Sequence, residues 1–296
     1  MEFDLGLVMN QLVWGVMVGV GFTLMAMAFS LIFSTSNMIN FAIGEFAMLA
    51  AYFCYTALSH VPGGFVGAAL VSMVGIAAFG MLVERIAFRR LYKLDHILVL
   101  IGTIGLSAII KNLTLIIFGP YAFSFPQYFS PEPIIIGSLI LIPQNVIVAL
   151  VGVVVLIVFQ IFMKYTRLGL AMRATAENFH GATLVGINTA RCVNLSWGLG
   201  AVLAGIAGTM MGFAYNISID MGGTLGLKGF TSAIFGGFGS LPASAAGGVL
   251  MGVLENASAL VFDYTYKDIV AFVIIVLILL FRPAGLFLPN KGVRRV

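Results

Sequence analysis

The sequence predicts an all-α fold, a polytopic bundle of about eight transmembrane helices formed by a single domain over residues 1–296. Hydrophobic residues make up 61% of the chain and charged residues only 9%, whereas a soluble domain carries about 25% charged residues. Four long runs lack any charge: Leu5–Gly44, Phe46–Val83, Pro133–Met163 and Cys192–Ile219. Because a helix needs about 20 apolar residues to cross the hydrocarbon core, each run supplies at least one crossing.

The apolar runs predict helices rather than membrane strands. Val146–Met163 is apolar on every face, whereas a membrane strand alternates in polarity. The predicted crossings are 7–33, 38–58, 64–83, 97–118, 143–163 and 193–216, and further apolar segments lie at about 226–240, 243–262 and 268–281. The N-terminus is acidic and the apolar run after it is long, so 7–33 is interpreted as a retained span and not as a signal peptide.

The glycine-rich region 222–248 is predicted to interrupt this regular pattern. It contains nine glycines and Pro242, which disfavour a continuous helix. Two alternatives stay open: a broken helix that crosses the membrane, or a segment that enters and returns. Irregular backbone at membrane depth is tolerated where it is buried in protein or lines a cavity, so either alternative makes the region a candidate for function.

The basic residues predict the orientation of the chain. Twelve of the fifteen Lys and Arg residues fall into three groups, which the positive-inside rule places in the cytoplasm. These groups are Arg85, Arg89, Arg90 and Lys93; Lys164, Arg167, Arg173 and Arg191; and Arg282, Lys291, Arg294 and Arg295. The acidic N-terminus and Tyr121–Pro133 then face outward. Topology therefore accounts for the net charge of +4, and no nucleic-acid partner is expected.

The motifs of common enzymes are missing from the sequence. There is no G-x-x-x-x-G-K-[ST] segment, so the chain does not hold ATP through a P-loop of its own. The three histidines have no second ligand at metal-binding spacing, and no nucleophile motif occurs. Cys54 and Cys192 are interpreted as inert buried thiols. We therefore expect no cofactor, no metal and no catalytic residue.

The segment Arg167–Arg191 is the most informative predicted loop. Residues 173–177 are predicted to form a short helix, and Gly181 and Gly186 are candidates to end or kink it. A short exposed helix of small residues fits a groove on a soluble partner. The alternative is a connecting loop whose arginines only fix the topology.

This loop resembles the cytosolic coupling loop of permease subunits of branched-chain amino acid ABC importers. The resemblance rests on Arg173, Ala174, Ala176, Glu177, Gly186, Ile187 and Asn188. Three more stretches are similar to the same family: 39–46; 226–242 with Gly247, Gly248 and Glu255; and 282–287. Two positions depart from it, because Ile43 replaces the usual His and Ala243 replaces the Gly that commonly follows the proline.

The resemblance implies a transmembrane permease domain of an ATP-binding-cassette importer in the cell inner membrane of a bacterium. Its cargo would be branched-chain or related neutral amino acids. The implied partners are cytosolic ABC ATPase subunits, a companion permease and an external substrate-binding protein. The ATPase-coupling loop would be about 164–191, with Arg173, Ala174, Glu177, Gly186 and Ile187. An importer of urea or short amides, a stand-alone secondary transporter and a membrane-embedded enzyme are the alternatives.

Five residues are candidates for the translocation pathway. They are Asn40, Gly44, Glu45, Gly236 and Gly237. Each also has a structural interpretation, because buried polar residues hold neighbouring helices together and glycines let helices pack closely.

Charged and aromatic residues elsewhere in the apolar segments are also interpreted structurally. Glu45 is expected to line the pathway, to accept hydrogen bonds from a neighbouring helix, or to pair with Lys111 or Lys228. Lys228 is expected to hold the broken backbone, and Glu255 to be buried with a hydrogen-bonded partner. Trp14 and Trp197 are expected near the membrane interfaces.

Overall fold

The computed structural model of the protein describes residues 5–92, 95–126 and 132–260, and beyond them residues 269, 272, 273, 276, 277, 280–282 and 285–287. The acidic N-terminal residues, Lys93, most of the predicted span 268–281 and the basic residues Lys291, Arg294 and Arg295 lie outside the described residues. Most of the described chain is helical, as predicted.

The helices match the predicted crossings closely. Their bounds are α1 Leu5–Ser36, α2 Ile43–Ala57, α3 Gly64–Val83, α4 Arg89–Leu91, α5 His96–Phe118, α6 Pro143–Tyr165, α7 Arg167–Glu177, α8 Phe179–Leu184, α9 Thr189–Ala214, α10 Met221–Gly236 and α11 Leu241–Ser258. Five of the membrane-spanning candidates are single long helices, α10 and α11 form a bent pair, and α2 is a shorter apolar helix. Together these eight apolar helices of the described chain agree with the prediction of about eight spans.

The second helix begins later than predicted. Residues 37–42 are not helical, and Asn37 has a positive φ of 55°. This break turns the chain between α1 and α2, so that Asn40 lies in the connection. Glu45 consequently sits in the first turn of α2.

A close antiparallel pairing of α1 and α11 forms the centre of the bundle. A Cβ atom added to Gly15 would lie 2.8 Å from Val253 Cα, and one added to Gly19 would lie 3.0 Å from Val249 Cα. Farther along, Gly248 contacts Thr23, and the hydroxyl groups of Ser30 and Ser244 share a hydrogen bond. Small residues thus bring the two backbones into contact, which is how membrane helices associate without a hydrophobic driving force.

The glycine-rich region folds as a helical hairpin. The axes of α10 and α11 turn by 118° at the short break after Gly236, so the chain returns instead of continuing as one broken helix. Gly237 and Gly239 have positive φ values of 137° and 87° in this turn. The segment 285–287 closes over it, because Leu286 N donates to Phe235 O at 3.0 Å and Phe287 N donates to Gly236 O at 3.1 Å. The carbonyl groups at the end of α10 thereby gain partners.

The basic residues of α4, α7 and the start of α9 gather at one end of the bundle, which we call the basic end. A π-helical turn, Glu84–Phe88, joins α3 to α4 there. The buried carboxylate of Glu84 accepts a hydrogen bond from Asn194 Nδ2 and lies 3.7 Å from Arg89 Nε. Arg89 also donates to the carbonyl of Ala190 at 3.4 Å. These contacts fix the end of α3 against α9.

A short β-hairpin that the sequence did not predict lies at the opposite end. Its strands are β1 Ile134–Ile136 and β2 Leu139–Leu141, paired antiparallel. The side-chain amide of Asn10 in α1 holds it: Nδ2 donates to Ser138 O at 2.6 Å and Oδ1 accepts from Ile140 N at 2.8 Å. Trp197, expected near an interface, is instead buried in the core, with its ring 4.8 Å from that of Phe88.

Candidate functional site

The predicted coupling loop folds as two helices at the basic end. Helix α7 begins where Thr166 Oγ1 accepts from Gly169 N at 3.0 Å, six residues before the predicted short helix. It ends at Glu177, and Asn178 starts α8 by accepting from Gly181 N at 2.8 Å. Gly186 ends the pair with a φ of 86°, and Asn188 caps α9. Gly181, the other predicted breaker, lies inside α8.

One side of α7 is anchored in the bundle and the other is exposed. Gly169, Met172 and Thr175 are buried, and α7 packs against α1, α6 and α9. Gly169 lies directly against the backbone of Met163. A Cβ added to Gly169 would lie 2.6 Å from Met163 Cα, so there is no room for a side chain. Gly169 thus holds the start of α7 directly against the end of α6.

The coupling-loop residues that the sequence singled out lie on or near the exposed side. Arg173 and Glu177 are exposed, and Arg173 donates to Lys164 O at 3.1 Å. Ala174 and Ile187 are half-buried, while Gly186 is exposed. Next to them Leu184 and Val185 expose 88% and 77% of their surface. The exposed side of the α7–α8 segment therefore combines charged and apolar side chains.

The first group of pathway candidates is buried at the contact of α2 with its neighbours. Asn40 Oδ1 accepts from Ala42 N at 3.0 Å, which shapes the turn before α2. Gly44 packs directly on α10, since an added Cβ would lie 2.8 Å from Gly226 Cα. Glu45 is buried, and its Oε1 accepts from Ser107 Oγ of α5 at 3.2 Å. Its second oxygen has no hydrogen-bond partner among the described residues.

Of the two structural alternatives for Glu45, the hydrogen bond from a neighbouring helix is present, whereas an ion pair with Lys111 or Lys228 is not. Lys111 instead binds Asp220, with Nζ 2.7 Å from Oδ1. Lys228 binds Glu255, with Nζ 2.8 Å from Oε1 across the α10–α11 hairpin. The expectation that Glu255 is buried with a hydrogen-bonded partner is confirmed, and the Lys228 ion pair joins the two arms of the hairpin.

The second group of pathway candidates, Gly236 and Gly237, is buried at the tip of the hairpin. A Cβ on Gly236 would clash with the carbonyl oxygen of Ala243 and lie 3.0 Å from Gly247 N. Asn40, Gly44 and Glu45 therefore lie in one short segment at the start of α2. The Gly236–Gly237 pair lies apart from them, at the basic end.

A cavity that the sequence did not single out, with charged groups in a mostly apolar lining, lies between α1, α9, α10 and α11. Its volume is about 240 Å³. Its exposed rim carries Tyr215, Asn216, Asp220 and Thr224, and its floor carries Lys228 and Glu255. A sequence signal for it did exist, because Asp220 is the one charged residue between Arg191 and Lys228. No group of three or more metal-ligating side chains occurs among the described residues.

The fold and these buried polar sites define a multi-pass α-helical membrane protein. Residues 11–279 match the family described as "Branched-chain amino acid transport system / permease component". The chain belongs to this family of transport permeases.

Three relatives show how far the similarity extends. The LivH permease protein of the high-affinity branched-chain amino acid transport system of Salmonella typhimurium is 31% identical over 295 residues, 94% of each chain. The corresponding BraD protein of Pseudomonas aeruginosa is 33% identical over 292 residues, 94% of this chain and 95% of the relative. A probable LivH permease protein of Methanocaldococcus jannaschii is 28% identical over 287 residues, 89% of this chain and 87% of the relative. No solved structure matches the chain.

Proposed function

We propose that the protein is the membrane subunit of an ATP-binding-cassette importer that moves branched-chain or related neutral amino acids across the cell inner membrane. Partner ATPases supply the energy, a companion permease completes the passage, and an external binding protein delivers the cargo. The observation that carries this proposal is the α7–α8 segment, an exposed contact surface whose inner side is anchored in three long helices.

The architecture of this segment suits force transfer from a soluble partner. Leu184 and Val185 project from its exposed side, so a partner groove can hold them. The buried side of α7 touches α1 and α9, the helices that pack against most of the bundle. A partner that closes on α8 would therefore shift the centre of the bundle, a rigid-body transition between two states.

Two charged residues at membrane depth, Lys111 and Asp220, indicate that one face of the bundle meets water or another protein and not lipid. Lys111 lies in α5, seven residues before its end, and it and Asp220 expose 44% and 85% of their side chains. Charged groups at this depth are costly in lipid and face a cavity or another protein. The exposed residues of α6 are apolar over its membrane-spanning length, among them Leu150, Val154 and Ile157, whereas α5 adds Lys111 and Asn112 to an otherwise mostly apolar exposed surface. We place the companion permease and the pathway on the α5–α10 side and lipid on the α6 side.

Reconstitution tests the proposal. The chain is placed in proteoliposomes alone, and in parallel with ABC ATPases, a companion permease and a binding protein from the same organism. We expect leucine uptake only in the complete assembly with ATP, and no uptake by the chain alone under a sodium or proton gradient. Gradient-driven uptake by the isolated chain would refute the proposal, and transport of urea but not leucine would refute the assigned cargo.

A further inference from the structure

We propose that the cavity between α1, α9, α10 and α11 is a transient binding subsite for the charged backbone groups and aliphatic side chain of an amino acid. This inference rests on the proposed function and assigns the substrate contacts within the chain. The Lys228–Glu255 ion pair forms its floor, and Asp220 stands at its rim.

The charges of the cavity match a zwitterion. The side chains of Lys228 and Glu255 expose only 10% and 2% of their surface, and their charged atoms lie 2.8 Å apart. A free amino acid carries one ammonium and one carboxylate group on the same carbon atom. Its carboxylate group can therefore bind Lys228, and its ammonium group can bind a carboxylate of the cavity, with no net charge added to a poorly solvated site.

The remaining wall of the cavity matches an aliphatic side chain. It is formed by Val18, Phe22, Met211, Met221 and Leu225. Phe22 is buried, and its ring centroid lies 5.5 Å from Lys228 Nζ, so the apolar and charged parts of the wall adjoin. Sites for small molecules commonly combine a mostly apolar lining with a few placed polar groups.

The position of the cavity gives it an entrance from the end opposite the basic end. Tyr215 and Asn216 follow the last residue of α9 at that end, and Asn216 Oδ1 accepts from Ser124 Oγ at 2.7 Å. Asp220 is exposed at that end, and its carboxylate also binds Lys111 of α5. A solute arriving from the outer surface meets Asp220 first and the buried ion pair next.

The competing explanation is that the Lys228–Glu255 pair only joins the two arms of the hairpin. A buried ion pair can often be replaced by apolar residues of similar volume with little loss of stability. The double variant Lys228→Met/Glu255→Met therefore separates the two roles. It removes both charges at once and leaves neither of them buried alone.

The test measures ATP-driven leucine uptake by the complete assembly over a range of leucine concentrations. We expect the double variant to assemble and to keep the wild-type melting temperature, while kcat/KM for leucine falls about tenfold or more. Glu84→Gln is the matched control, because it removes a buried charge at the basic end and keeps an acceptor for Asn194; its kcat/KM should stay unchanged. A double variant that transports leucine as well as the wild type would overturn the inference and leave the proposed function standing.

A second measurement uses the purified assembly without the external binding protein. Leucine in excess should raise its melting temperature. Leucinamide, which lacks the carboxylate, and 4-methylpentanoate, which lacks the ammonium group, should not. The double variant should show no shift with leucine. Equal shifts with all three compounds would overturn the zwitterion subsite. Failure of the wild-type assembly to take up leucine would instead refute the proposed function.

Discussion

Gly285 lies directly against Gly237, near the end of the chain and at the tip of the helical hairpin. A Cβ on Gly285 would stand 2.8 Å from Gly237 Cα and equally close to the carbonyl oxygen of Ile234. Both residues have positive φ values, 88° and 137°, a conformation that side chains other than glycine rarely adopt. The segment after the last apolar stretch is thereby locked onto the end of α10.

This contact predicts that Gly285→Ala destabilises the protein by about 1–3 kcal/mol, because the methyl group meets backbone atoms and the backbone conformation is strained. The melting temperature of the purified protein in detergent measures the effect. Gly223→Ala in α10 is the control, since an added Cβ there meets no atom within 4 Å. Equal melting temperatures for the two variants would contradict the described packing.

The contact of α2 with α10 gives a second prediction. Gly44→Val should prevent α2 from approaching α10, because even a Cβ at this position clashes with the carbonyl oxygen of Gly222. We expect a large loss of folded protein, measured as the monodisperse fraction in size-exclusion chromatography. Gly105→Val in α5 adds the same atoms where no neighbour lies within 4 Å of the Cβ, so it should fold normally.

Two substitutions distinguish a structural role of the Glu45 carboxylate from a role in the pathway. Glu45→Gln keeps the shape and the acceptor for Ser107 Oγ, so we expect uptake close to the wild-type value. Glu45→Ala leaves a cavity and removes that hydrogen bond, and should lower the unfolding free energy by about 1–3 kcal/mol. Uptake and melting temperature are measured together. If Glu45→Gln folds normally but abolishes uptake, the carboxylate charge acts in the pathway and not as structural support.

If the α7–α8 segment couples ATP hydrolysis to transport, substitutions on its exposed side should reduce uptake without stopping hydrolysis. Glu177→Lys reverses an exposed charge, and Gly186→Leu places a bulky side chain at a residue whose Cβ would meet open space. We expect uptake to fall about tenfold or more, equivalent to ~1.4 kcal/mol of lost coupling, while membrane insertion stays intact. ATP hydrolysis by the assembly should then continue without transport.

Gly64→Leu is the matched control for Gly186→Leu. Gly64 also has a positive φ, of 60°, and open space around its Cβ, but it begins α3 at the opposite end of the bundle. Gly64→Leu therefore also places leucine at a positive φ, without touching the α7–α8 segment. Unchanged uptake in both Glu177→Lys and Gly186→Leu would rule out coupling through this segment.

The membrane helices could be predicted because their signal is strong and local. Runs without charge determine where a span lies, and α3, α5 and α6 begin within one residue of the predicted positions. The break between the first two spans was predicted at 34–37 but lies at 37–42, because it depends on Asn37 and the turn at Asn40, which interrupt an apolar run without any charge or proline. The hairpin of α10 and α11 was predicted as irregular, and its return depends on the tertiary contact with α1.

The candidate site was harder to predict, because ion pairing depends on which helix faces lie together. Lys111 and Asp220 are 109 residues apart, and nothing local in the sequence pairs them in preference to Lys111 and Glu45. The cavity that holds Lys228 and Glu255 likewise draws on four helices. By contrast, the predicted coupling loop is a local feature: Gly186 ends α8 as predicted, whereas Gly181 lies inside α8 and Asn178 separates α7 from α8.

The pairing of α1 with α11 has a consequence for how the protein is made. Thr23 Oγ1 donates to Ala245 O at 3.0 Å across 222 residues of sequence. At ~5–20 residues per second, a ribosome needs roughly 10–45 seconds to synthesise that interval. During this time the glycine face of the first helix has no permanent neighbour, so lipid or an insertion chaperone must cover it. A ribosome that stops before residue 241 would release a chain whose first helix never finds its partner, and quality-control proteases would be expected to remove it.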